Sequence, residues 1–105
     1  MAVVKTVQTY AAFLYPNSKG SKARINLYCS DGYKLYILFT DDDLPLNTFN
    51  ATHNIGSAYA DLDEYPGYID LIRNEKPVRV TFRPEDSPPN YVVYVSGEEP
   101  GEGEM

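Results

Sequence analysis

Apolar and polar residues alternate from Lys22 to Cys29 and again from Tyr33 to Thr40. Alternation at period two marks a strand with one buried face. The apolar sets are Ala23, Ile25, Leu27 and Cys29, then Tyr33, Leu35, Ile37 and Phe39. A two-residue turn at Asp31-Gly32 pairs Leu27 with Tyr36 and so sets apolar rows against polar ones. A three-residue loop, Ser30-Asp31-Gly32, with Gly32 left-handed, pairs Cys29 with Tyr33, Leu27 with Leu35, Ile25 with Ile37 and Ala23 with Phe39. Register follows burial, so the pattern selects the three-residue loop.

The other segments read more coarsely. Residues 2–15 are β-branched and aromatic without helical spacing, which predicts one long strand with a bulge near Ala11-Ala12. Residues 16–21 are a loop by chemistry. Asp41 to Asn54 also reads as a loop, long enough to suggest a short concealed element. Ser57 to Leu62 reads as a strand. Tyr65, Tyr68, Ile69 and Ile72 fall on one face of a helix over residues 64–74. Pro66 suits its first turn, Asp63 or Glu64 its cap, and Pro77 lies beyond its end. Val78, Val80 and Phe82 alternate along a strand over 77–83. A final run, Tyr91 to Val95, is apolar throughout and predicts burial on both faces.

These elements predict an α+β fold. One helix packs on a small curved antiparallel sheet or partly open β-barrel of five to six strands. The chain divides into a single β-rich domain, residues 1–96, and an acidic tail, 97–105. The tail is Gly, Pro and Glu with no apolar residue before Met105, so burial cannot offset its ordering entropy and disorder is expected.

Composition narrows the function classes. The chain has 105 residues, enough for one domain. One cysteine excludes an internal disulfide, and one cysteine with one histidine excludes a Cys/His zinc site within the chain. No apolar run approaches a membrane span, and the N-terminus lacks signal-peptide features, so a cytoplasmic protein away from membranes is expected. Ten tyrosines and four phenylalanines stand without a tryptophan. Tyrosine suits both half-buried sheet faces and contact surfaces.

No catalytic motif is present. Asp41-Asp42-Asp43 lacks the glycine and distal glutamate of a calcium loop. His53 has no nucleophile at a recognisable spacing, and Cys29 falls on the core face, where a thiol acts as a small hydrophobe. Asn50-Ala51-Thr52 matches a glycosylation acceptor by chance. No glycine run cradles a phosphate. The expectation is a chain without catalytic residues, cofactor or metal.

A basic surface remains. The net charge is −6, yet it is unevenly spread. Residues 1–40 hold Lys5, Lys19, Lys22, Arg24 and Lys34 against Asp31 alone, while residues 41–75 and 84–105 are acidic. The hairpin's outward face carries Lys22, Arg24, Tyr28, Lys34 and Tyr36, and Arg79 and Arg83 face outward on their own strand. These seven are the candidate partner-binding residues. They point first to a non-catalytic protein–protein interaction or assembly module, self-association as a homodimer included. The alternative is single-stranded nucleic acid, bound by cations along its backbone and aromatic platforms for its bases. Strand order around the helix is near that of the oligonucleotide-binding barrel, except for the strand at 57–62. The acidic tail resembles those of bacterial and phage single-strand-binding proteins, although theirs end in an apolar tip and this one ends Gly103-Glu104-Met105. Such a tail can compete with a ligand for the basic face.

Overall fold

The hairpin forms in the register its apolar residues select. In a computed structural model, which describes residues 2–15 and 22–95, Ala23 pairs with Phe39, Ile25 with Ile37 and Leu27 with Leu35. Ser30–Gly32 makes the three-residue loop, and the Cys29 N–H donates to the Tyr33 carbonyl at 2.8 Å. Gly32 is left-handed at φ 77°, and Asp31 before it shares that region at φ 58°. The loop at 16–21 and the tail at 97–105 lie outside the described residues.

Seven strands and one helix follow in chain order. They are β1 (Val3–Leu14), β2 (Ala23–Cys29), β3 (Lys34–Thr40), β4 (Thr48–Asn50), β5 (Ile55–Asp61), α1 (Tyr65–Asn74), β6 (Val78–Arg83) and β7 (Asn90–Val95). The sheet runs β4-β5-β3-β2-β1-β6-β7 and curls into a half-barrel. The short element concealed in the 41–54 loop is β4, and the strand read at 57–62 is β5. Five strands therefore precede the helix, which departs from the order of the oligonucleotide-binding barrel. All pairs are antiparallel except β3 with β5. Antiparallel β4 lies on the far side of β5, so the chain passes the sheet edge before returning beside β3.

β1 serves two neighbours. Val3 to Thr6 pair with β6, and Thr9 to Leu14 pair with β2. The bulge lies where the partner changes, between Val7 and Thr9, and not at the predicted Ala11-Ala12. Gln8 is the extra residue. It leaves Val7 opposite Cys29 and resets the faces beyond it.

The concave side is the core. Ile25, Leu27, Leu35, Ile37, Phe39, Val80 and Phe82 are fully buried there. α1 lies across it because its apolar stripe meets Phe39. The rings of Tyr65 and Tyr68 stand 5.2 and 5.4 Å from that of Phe39, both edge to face. Neither Asp63 nor Glu64 caps the helix through its side chain. A 3-10 turn, Leu62–Glu64, leads straight into it, and the Tyr65 N–H bonds the Leu62 carbonyl instead. Among the described residues, no helix is long and apolar enough to cross a membrane.

The two ends of the sheet approach one another. Tyr91 of β7 reaches across to β4, where its hydroxyl donates to the Thr48 carbonyl at 2.5 Å. Its ring packs edge to face on Phe82, 5.7 Å away. Burial pushes the Tyr91 phenol up to about 12. β7 is the last strand of the sheet, so it is not buried on both faces as its sequence suggests, and Val92 is 47% exposed.

Candidate functional site

Outward-facing side chains of β5, β3, β2 and β1 line up in rows on the convex face, because paired residues point the same way. One row runs Tyr59, Leu38, Arg24, Phe13. The next runs Ser57, Tyr36, Asn26, Ala11, and a third runs Ile55, Lys34, Tyr28, Thr9. Five of the seven predicted contact residues share this face: Lys22, Arg24, Tyr28, Lys34 and Tyr36. All five are half-buried, with Tyr28 and Lys34 towards the loop end of the hairpin and Lys22 and Arg24 towards its open end. Arg79 and Arg83 are carried by the same sheet, two strands from β2. They belong to β6, with β1 between, and Arg79 pairs with Thr6.

The centre of the face is a sandwich. The Arg24 guanidinium lies 4.8 Å from the Phe13 ring centroid and 5.6 Å from that of Tyr36. The Tyr15 ring runs parallel to Phe13 at 6.4 Å. A cation held over two rings is stabilised by their quadrupoles. Beneath it, Asn26 is 5% exposed and donates from Nδ2 to the Tyr28 hydroxyl at 3.1 Å. Asn26 Oδ1 and Arg24 Nε are both shielded from solvent without a hydrogen-bond partner. A buried acceptor and a buried donor left unmatched are costly, and such groups gather where a ligand or partner completes them.

Phe13 was not among the predicted residues. Placing the bulge at Ala11-Ala12 obscures it, whereas a bulge at Gln8 turns Thr9, Ala11 and Phe13 outward together. The signal available was the step from Lys5-Thr6, whose neighbours belong to β6, to the uncharged run after it.

The remaining candidates stand apart. His53 is on an exposed turn where its N–H, with that of Thr52, bonds Asn50 Oδ1. Cys29 is buried, and burial pushes its thiol up to about 11, against the nucleophilic thiolate. A cleft of about 380 Å³ between α1 and β7 has Asp63, Glu64 and Tyr68 on its walls. Burial, and then the Glu64 charge, raise the Tyr68 phenol. Among the described residues, no three His, Cys, Asp or Glu side chains gather as metal ligands.

Comparison with known protein families, with curated proteins and with solved structures finds no match to this chain.

Proposed function

We propose that this protein is a non-catalytic binding module whose convex face receives a protein partner. The observation that carries the reading is the Phe13–Arg24–Tyr36 sandwich at the centre of a four-strand face. Arginine and tyrosine dominate the residues whose truncation costs most at protein interfaces. Here they are held in place before any partner arrives, which lowers the entropic cost of docking. The matching surface offers a carboxylate or main-chain carbonyls to Arg24 and Lys34, and apolar side chains to the Tyr28, Tyr36 and Phe13 rims.

Nucleic acid is the second reading, and two observations weigh against it. Base stacking needs open ring faces, and Arg24 already occupies one face each of Phe13 and Tyr36. Among the described residues the four-strand face carries three cations, Lys22, Arg24 and Lys34, on a chain of net charge −6, which repels a polyanion at long range.

The test is photo-crosslinking from position 36 in cells, followed by titration of the purified partner. Arg24→Ala and Tyr36→Ala are each expected to weaken binding at least about tenfold, and Val92→Ser to leave it unchanged. Salt-steep binding of a single-stranded oligonucleotide, lost on Arg24→Glu, would establish the second reading in its place.

A further inference from the structure

The second half of β1 has an open backbone edge. The Tyr15 N–H donates to the Lys22 carbonyl at 2.8 Å. In an antiparallel ladder every second residue turns its N–H and C=O to the same neighbour. Phe13, Ala11 and Thr9 therefore face β2, while Tyr10, Ala12 and Leu14 turn theirs the other way. β6 pairs with β1 only from Val3 to Thr6. No described strand lies beside Tyr10, Ala12 and Leu14.

The two end strands of the sheet are limited in other ways. β4 is three residues long, and β7 is tied across to it by Tyr91. The β1 edge has neither protection. Exposed edges are ordinarily guarded by charge or proline, and the chain holds no charged residue from Thr6 to Ser18 and no proline from Thr6 to Tyr15. Leu14 is 68% exposed and Tyr10 37%. A groove of about 400 Å³ opens beside Tyr10, walled by Gln8, Ile72 and Pro77 and by the opposite charges of Glu75 and Lys76.

We infer that the occupant of this edge is a second copy of the same chain, joined through antiparallel β1 strands. The edge is complementary to itself. A two-fold axis through Ala12 sets Ala12 against the partner's Ala12, and Tyr10 against the partner's Leu14. Each such pair exchanges two hydrogen bonds, with the donors and acceptors that the monomer leaves open. The partner's Leu14 then stands beside Tyr10 at the mouth of the groove. Neutrality matters as well, because two chains of charge −6 meet on a segment that carries none. The resulting sheet is continuous through both half-barrels and sets their convex faces side by side. The inference uses the backbone of β1 and not the convex side chains, so it and the proposed partner face stand or fall separately.

Sedimentation equilibrium of the full chain tests it. The expected mass rises with concentration from 11.8 kDa to twice that value. Ala12→Pro removes an N–H that the monomer does not use. Ala12→Lys puts two ammonium groups opposite each other on the axis. Each is expected to raise the dimer dissociation constant at least about tenfold, with the circular dichroism spectrum unchanged. Cysteine variants read the register without straining the strand. In Ala12→Cys the two Cα atoms stand roughly 5.5 Å apart, within disulfide range, so oxidation yields a covalent dimer. In Leu14→Cys they are four positions out of step, roughly 13 Å, so it yields none. A chain that keeps 11.8 kDa at every concentration overturns the inference. So does a dimer that ignores Ala12→Lys, or one that cross-links through Leu14→Cys.

Discussion

The phenol ring of Tyr91 occupies the space in which a side chain at residue 56 would stand. A Cβ on Gly56 would lie 2.6 Å from Tyr91 Cε1 and 2.8 Å from its hydroxyl oxygen. Gly56 is on β5 and Tyr91 on β7, so this contact brings together two parts of the barrel that no ladder joins. Gly56→Ala is expected to cost about 1–3 kcal/mol in urea unfolding, because the ring must leave. Tyr91→Phe loses the bond to Thr48 and is expected to cost about 1 kcal/mol. In a Tyr91→Ala background, Gly56→Ala should cost far less than it does alone, and that coupling is the check on the contact.

Stability is expected to fall as pH rises above 9. Cys29 ordinarily ionises at 9.0 and is held up to about 11, so the folded chain keeps a proton that the unfolded chain releases. The stabilisation is whole below pH 9 and is lost progressively from there to about pH 11. Its size is on the order of 2 kcal/mol. Tyr91, raised from 10.0 to about 12, extends the decline above pH 10. Thermal melts of the wild type and Cys29→Ala across this range would differ in slope mainly between pH 9 and 11. The same burial predicts that a thiol reagent at pH 8 labels Cys29 only after denaturant is added.

Phe39 holds the helix to the sheet. Its ring is fully buried and touches both Tyr65 and Tyr68. A ten-residue helix does not stand alone, so losing this anchor should free it. Phe39→Ala is expected to cost about 3–5 kcal/mol. Hydrogen exchange in α1 should accelerate beyond that in β2 and β3, and uniform acceleration would show that helix and sheet open together.

Lys5 sits on the concave side opposite Val80, an unusual place for a cation. Its stem follows the core outward, and its ammonium lies 4.7 Å from the Tyr33 ring centroid and 2.7 Å from Asp31 Oδ2. Asp31 is 72% exposed, so water screens the pair and Lys5→Met is expected to change stability by less than about 1 kcal/mol. The backbone at Asp31 matters more. At φ 58° it tolerates asparagine, whereas Asp31→Val should cost more than Asp31→Asn by about 1 kcal/mol or above in the same assay.

Local chemistry made the hairpin and the helix legible. Alternation fixed the β2–β3 register because one wrong step would turn Ile25, Leu27, Leu35 and Ile37 to solvent. The stripe from Tyr65 to Ile72 located α1 to within a residue. Long-range pairing was not legible. The parallel partnership of β3 and β5 leaves no local mark, and neither does the division of β1 between β6 and β2. β7 reads as doubly buried because Val92 is apolar, yet only strand order decides which apolar strand lies at an edge. On the candidate site, the hairpin pattern placed five residues on one face. Arg79 and Arg83 needed the topology to be placed two strands from β2, and Phe13 needed the position of one bulge.

The division of β1 has a consequence for how the chain is made. Val3 to Thr6 leave the ribosome before every strand they could pair with, and their partners, Arg79 to Phe82, emerge only after β2, β3, β4, β5 and α1. The β2–β3 hairpin and the second half of β1 can assemble during synthesis. The first four residues of the strand cannot, and the core cluster of β2 and β3 lacks Val80 and Phe82 until β6 arrives. Completion of the half-barrel is thereby tied to the synthesis of β6, and a polypeptide released before it leaves β1 only half paired.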